Sequence, residues 1–265
     1  KKYGIRYDST QPLDVEGDLA DRVYQAGREL FLAIGAYCTT TKRAIRLTES
    51  ELDKGLAACP AEIELGDGKD KVKMVHRSVE GTEEPIVVAG LQTAPYSDER
   101  MMETIYRLCA EDRCVDGIWG GILLAIEGRY EVIAGTPSEV YQYCKTVSIM
   151  RRAIEAAGRP GLLLINNAPT SSATIAMFDE RDGLRRTDFI DTTGMSELKV
   201  TYDDLNRSAY GLAHGVQVKG SHSSVIGGFS ATPEGAAMAS VAGTLQLFVV
   251  HKAVHARCGT VDPRF

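Results

Sequence analysis

The sequence predicts an α/β protein, a β/α barrel cut short, preceded by a small α+β segment. Three observations predict it. From residue 84 onward the chain repeats a grammar of apolar strand, glycine break and helix, which builds a parallel sheet with right-handed crossovers. The segment 158–171, GRPGLLLINNAPTS, is a short buried strand that ends abruptly in two amides, Asn166 and Asn167. Polar side chains at the C-terminal tip of a buried strand are how parallel barrels present reacting groups. The first third of the chain lacks this grammar and reads as a separate α+β segment, so the expected division is 1–82 and 83–265.

Each element has a local reason. Leu19, Val23, Gly27, Leu30 and Ile34 recur at helical spacing and predict an amphipathic helix. Residues 44–47 read as a strand. Thr48 and Glu51 form a capping box for a second helix, which must stop before Pro60. Residues 62–65, the turn at Gly66-Asp67-Gly68 and residues 72–76 predict a hairpin. Then follow a strand over 85–89, a helix from Ser97-Asp98 to about 108, a strand over 115–124 and a helix over 138–157. The amide-tipped strand, 162–165, comes next. A fourth barrel strand is expected at 197–200, before a helix over 202–212. A strand at 216–219, a helix over 233–254 and a last strand at 256–258 complete the pattern. The chain opens Lys-Lys-Tyr without methionine and stops just past that strand, so a fragment of a longer protein is the expectation.

Composition bounds the function. A net charge of −6 gives no basic footprint for nucleic acid. No apolar run reaches the length of a membrane span, since 241–250 is broken by Gly243, Thr244 and Gln246. The six cysteines, at 38, 59, 109, 114, 144 and 258, lack metal-ligand spacing and fit a reducing cytoplasm as free thiols. No metal is expected.

Four strand exits carry polar groups: Gln92 and Thr93, Glu127 and Arg129, Asn166 and Asn167, and the run Lys219, Gly220, Ser221, His222. Convergence of such exits on one face of a barrel makes a site. Asn166 and Asn167 point to opposite faces of a continuing strand, so one alone is expected at the barrel mouth, near Gln92 and the Ser221-His222 tip. An Asx-rich turn is the plainer alternative. Lys219 at a strand end permits Schiff-base or acid–base chemistry, or a lysine that merely snorkels. Trp119, the one tryptophan, reads as core packing in mid-strand.

A collinear set of segments extends this reading. It comprises KKYGIRY at the start, Gly35-Ala36-Tyr37-Cys38-Thr39, Leu65-Gly66-Asp67-Gly68 and His76-Arg77-Ser78-Val79. It continues with Pro85-Ile86-Val87, Ala157-Gly158-Arg159-Pro160-Gly161, Pro169-Thr170-Ser171, Glu197-Leu198-Lys199 and Gly227-Gly228. In these segments the chain resembles the corrinoid-dependent monomethylamine methyltransferases. The resemblance implies a (β/α)8 TIM barrel, and a methyl group passed from a methylated amine to the cobalt of a separate corrinoid protein. It also implies that the chain itself binds no cofactor. A cytoplasmic homo-oligomer is expected. The family carries pyrrolysine at a position that falls at or next to Asn166-Asn167, and a catalytic glutamate that lines up near Ser221. This chain has neither, which suits a branch working without pyrrolysine, some of whose members act on quaternary amines. The resemblance therefore puts Asn166, Asn167, Ser221 and His222 forward as catalytic, and Gln92, Thr93, Glu127, Arg129 and Lys219 as substrate-binding. A barrel enzyme using Lys219 and a non-catalytic amine-binding relative remain as alternatives.

Overall fold

The computed structural model describes residues 2–10, 18–77, 81–90, 95–179, 181–195 and 197–261. In chain order the first elements are α1 (Leu19–Ile34), β1 (Ala36–Cys38), β2 (Arg43–Ile45), α2 (Glu49–Ala57), β3 (Glu62–Leu65) and β4 (Val72–Val75). Next come β5 (Val88–Ala89), β6 (Pro95–Tyr96), α3 (Glu99–Glu111), β7 (Gly117–Trp119), β8 (Ile122–Leu123), β9 (Ala125–Ile126) and β10 (Tyr130–Glu131). Then follow α4 (Pro137–Ala156), β11 (Leu163–Asn167), α5 (Ser171–Ala176), β12 (Phe189–Thr193), β13 (Lys199–Val200) and α6 (Tyr202–His214). The chain closes with β14 (Gln217–Val225), α7 (Pro233–Val249) and β15 (His255–Val261).

The chain divides into two compact units, and the division differs from a cut near residue 82. One unit gathers 1–59, 192–205 and 219–265; the other gathers 60–191 and 206–218. In the first, α1, the β1–β2 ribbon and α2 share a core with α7: Phe31, Cys38, Leu52, Val200, Ala242, Leu245 and Val249 are buried together. The helices α1 and α7 approach so closely that a Cβ on Gly27 would stand 2.5 Å from Val241 Cβ. The capping box is present, with Thr48 Oγ1 accepting from the Glu51 amide at 3.2 Å and Glu51 accepting from the Thr48 amide at 2.8 Å. Strand β13 pairs with β1 in parallel, Tyr37 beside Lys199, so the segment at 197–200 belongs to this small sheet and is not a barrel strand. In the same unit β14 and β15 run parallel, from Lys219 beside His255 to Val225 beside Val261.

The second unit holds parallel strands in the order β5, β7, β11 and β12. The expected strand over 115–124 is broken into β7 and β8. Its cause is the pair Gly120-Gly121: Gly120 N–H donates to Ile165 C=O at 2.8 Å, Gly121 N–H to the buried Tyr106 hydroxyl at 2.6 Å, and the chain then leaves to pair with β6. Strand β12 and helix α5 have no counterpart among the sequence expectations, because Phe189-Ile190 is too short an apolar run to announce a strand. The β3–β4 hairpin forms as expected. Its turn closes on the strand starts, where Gly66 N–H reaches Thr187 C=O and Asp67 N–H reaches Gly161 C=O, each at 2.8 Å. Helix α7 stops at Val249 and not at 254, and Lys252 takes a φ of +58°, which no helix continues through.

The α1–α7 approach has a measurable consequence. Gly27→Ala should lower stability by about 1–3 kcal/mol through overpacking against Val241, whereas Gly128→Ala, which meets nothing within 4 Å, loses stability only through its positive φ. Urea denaturation of both variants checks the ranking.

Candidate active site at the strand tips

Strand β11 carries Leu163, Ile165 and Asn167 on one face and Leu164 and Asn166 on the other. Neighbours in register on parallel strands share a face. Asn166 is in register with Ile190, and Ile190 lies under helix α6, where a Cβ on Gly211 would stand 2.5 Å from Ile190 Cγ2. Asn166 is therefore on the helix-covered face. It is 1% exposed, and its Oδ1 accepts from the Asn167 amide at 3.0 Å. A Cβ on Gly120 would stand 2.5 Å from that oxygen, so the carboxamide is seated on the glycine backbone, and its Nδ2 has no partner among the described residues.

Asn167 faces the opposite way, half-buried, and in register with Asp191 on β12. Asp191 is fully buried, a carboxylate in the middle of β12 beside the amide that ends β11. Ile165 is in register with both Trp119 and Phe189, which places the tryptophan on this same face, one residue pair below Asn167 and Asp191. An amide, a carboxylate and an indole thus share the side of the sheet opposite α6. Sequence reasoning missed Asp191, since its strand was not recognised; the signal was the echo of β11 in Phe189-Ile190-Asp191, two apolar residues and then a polar one.

In the other unit, β14 separates the residues that the sequence puts together. Gly220, His222 and Ser224 face helix α7. Gly220 lies under Leu247, the His222 ring stands on Gly243, and Ser224 Oγ accepts from Ser240 Oγ at 3.0 Å. His222 is 4% exposed, with Nε2 3.2 Å from Thr244 Oγ1, and burial pulls its pKa below the ordinary 6.5. Lys219 and Ser221 occupy the alternate positions, so they face away from α7, and both are buried. Gly194 N–H donates to Ser221 C=O at 2.8 Å, which sets the chain that leaves β12 beside β14.

Glu127 and Arg129 stand on the exposed β9–β10 turn, 4.0 Å apart. Glu127 takes a φ of +55° and lies 3.7 Å from Lys145, which also bonds Glu99 at 2.8 Å. Gln92 and Thr93 lie outside the described residues. Among the described residues, no group of three or more His, Cys, Asp or Glu is placed to hold a metal ion. Among them too, no helix is long and apolar enough to cross a membrane.

Parallel strands in the order β5, β7, β11 and β12, interleaved in sequence with helices, define a protein of the β/α-barrel class. More narrowly, the chain belongs to the monomethylamine methyltransferase MtmB family, whose model matches residues 1–264. It is 28% identical to monomethylamine methyltransferase MtmB2 of Methanosarcina acetivorans, an alignment covering 100% of this chain and 59% of the relative. Against monomethylamine methyltransferase MtmB of Methanosarcina mazei the identity is 27%, with the same coverage. The crystal structure of the Methanosarcina barkeri monomethylamine methyltransferase matches at a TM-score of 0.89 and 25% identity, covering 99% of this chain and 57% of that one. A solved hydroxylamine complex of MtmB matches at the same TM-score, 0.89. The chain spans about three-fifths of the length of the curated relatives it matches, 59%. The fold is accordingly α/β, with the barrel incomplete in this chain.

Two outcomes are expected here. Asn166→Ala should cost about 1–3 kcal/mol of stability, because it strips the Asn167 amide of its acceptor and empties the seat on Gly120; Asn167→Ala should cost well under half of that, and thermal melts compare them. For His222, the folded pKa lies below the unfolded one, so the unfolded chain takes up the proton first. Its contribution is complete above the unfolded value and is lost as pH falls from about 6.5 through the folded pKa. His222→Gln should therefore lose less stability than the parent protein between about pH 7.5 and about pH 5.5 in denaturant titrations.

Proposed function

We propose that this chain forms the site of a methyltransferase that moves a methyl group from a methylated amine to the cobalt of a partner corrinoid protein. Family membership supports the reaction class, since the relatives are named as monomethylamine methyltransferases. The observation that carries the reading is the register of Asn167, the last residue of β11, with the buried Asp191 of β12 on the same face as Trp119. A carboxylate balances a substrate ammonium, an amide oxygen accepts its N–H or C–H groups, and an indole face attracts cations.

The partner-borne corrinoid supplies cobalt(I), the nucleophile, so this chain needs no nucleophile of its own. The chain orients the substrate and matches its charge. In this reading Asp191 holds the positive nitrogen, Asn167 fixes the direction of the C–N bond, and the buried apolar wall around Phe189 and Trp119 keeps water from the ammonium. Where the family resemblance puts pyrrolysine, the sequence has Asn166 and Asn167. A quaternary amine fits that change, because it is already a competent leaving group without covalent capture or protonation. A cytoplasmic homo-oligomer completes the reading, and free thiols at Cys38, Cys59, Cys109, Cys114 and Cys144 are in keeping with a reducing compartment.

The test is methylcobalamin formation, followed by absorbance, with the full-length protein, its corrinoid partner and a panel of methylamines and betaines. Transfer from at least one amine is expected, and Asp191→Asn and Asn167→Ala should each lower kcat/KM by about tenfold or more. No transfer from any amine sinks the reaction class. Tight binding of a quaternary amine without transfer identifies a non-catalytic relative. Full activity in both variants removes these tips from the site.

A further inference from the structure

We propose that Arg207 and Glu139 are positioning residues for the Asn166-Asn167 strand tip, acting through the loop 168–170. The proposal rests on the methyl-transfer reading and adds to it the means by which the tip is held. Asn167 is the last residue of β11. Beyond it the chain leaves the sheet, so the direction of its side chain depends on what fixes the residues that follow.

Two buried charged side chains from two different helices do this. Arg207 of α6, 6% exposed, donates from Nη1 to the Ala168 carbonyl at 2.8 Å. Glu139 of α4, 2% exposed, accepts from Thr170 Oγ1 at 2.8 Å and from the Gly135 amide at 3.0 Å. Thr170 is in turn the N-cap of α5, accepting from the Ala173 amide at 3.1 Å. The carbonyl one residue past Asn167 and the hydroxyl three residues past it are thus both pinned. Tyr143 lies within the fields of both charges: burial pushes its phenol up, Glu139 adds to the rise and Arg207 opposes it.

A cavity of about 500 Å³ opens on the α4 side of the loop, lined by Gly135, Thr136, Glu139, Tyr141, Thr170 and Ser172. Beside this cavity the loop is fixed by the hydrogen bonds of Glu139 and Arg207, and charge-assisted ones are the strong and directional kind. A helix start needs only a neutral cap such as Thr170. Burying a carboxylate and a guanidinium as well carries a large desolvation cost. A site that must hold an amide to within a fraction of an ångström gives that cost a use.

The experiment uses the full-length protein and its corrinoid partner, with Glu139→Gln, Arg207→Lys and the milder Thr170→Val. Asp70→Asn is the control, because it breaks another buried pair of the same unit, Arg159 Nε to Asp70 at 2.9 Å, near the start of β11. Melting temperature, kcat, KM and amide hydrogen exchange of 164–170 are read for each. The three loop variants should lower kcat by about tenfold with KM within about threefold, and speed exchange at 166–170. Asp70→Asn should lower the melting temperature and leave kcat within about twofold. Unchanged kcat and unchanged exchange in the loop variants, whatever their melting temperature, overturn the proposal. If the parent protein transfers no methyl group, the methyl-transfer reading fails by itself. Exchange at 166–170 then decides the brace: faster in the loop variants upholds it, unchanged overturns it.

Discussion

The strand tips depend on one buried ion pair, Arg151 with Asp188. Asp188, 1% exposed, sits just before β12 and reaches across to β11, where its Oδ1 accepts from the Leu164 amide at 2.9 Å. Its other oxygen accepts from the Arg185 amide at 2.7 Å and from the Arg151 guanidinium, and Arg151 also donates to Gly183 C=O at 3.0 Å. One carboxylate thereby ties a helix, a loop and two strands. Burial alone would push the Asp188 carboxyl up and pull the Arg151 guanidinium down, and their mutual attraction opposes both shifts. Removing either partner of such a pair leaves an uncompensated charge, at a cost of about 3–5 kcal/mol. The register it locks is the one that sets Asn167 beside Asp191.

Period-two alternation then sorts the polar residues into two roles. On β11 it turns Asn166 toward α6 and Asn167 toward the opposite face. On β14 it turns His222 onto Gly243 and Thr244 of α7 and sends Lys219 and Ser221 the other way. Adjacent polar residues at a strand end are therefore not a pair in the chemical sense. One of each couple does packing work, and the match of small residues on the helix to larger ones on the strand shows which. Gly220 under Leu247 and His222 over Gly243 are the two halves of that match.

The first unit is held together differently, by apolar contact between helices. Phe31 and Leu52 are almost fully buried against Ala242, Leu245 and Val249 of α7, and Gly27 permits the approach. Because β13 joins β1, the segment between β12 and α6 is used to secure the N-terminal region and adds no barrel strand. A chain read only for its order of strands and helices cannot show this, since a two-residue strand looks the same in either sheet.

By itself the sequence determined the α/β class, the long helices, the Thr48–Glu51 capping box, the β3–β4 hairpin and the amide-tipped strand. These are local: helical spacing, a cap, a turn and an apolar run act within a few residues of one another. The sequence also determined that only one of Asn166 and Asn167 could face the site, because alternation is a local rule. Tertiary structure alone decided which one. That choice needs a helix over Ile190, and so depends on residues 45 positions away, Gly211 against Asn166. It likewise revealed Asp191, whose strand has an apolar run of only Phe189-Ile190 and takes its place through pairing with β11 and the Arg151–Asp188 pair.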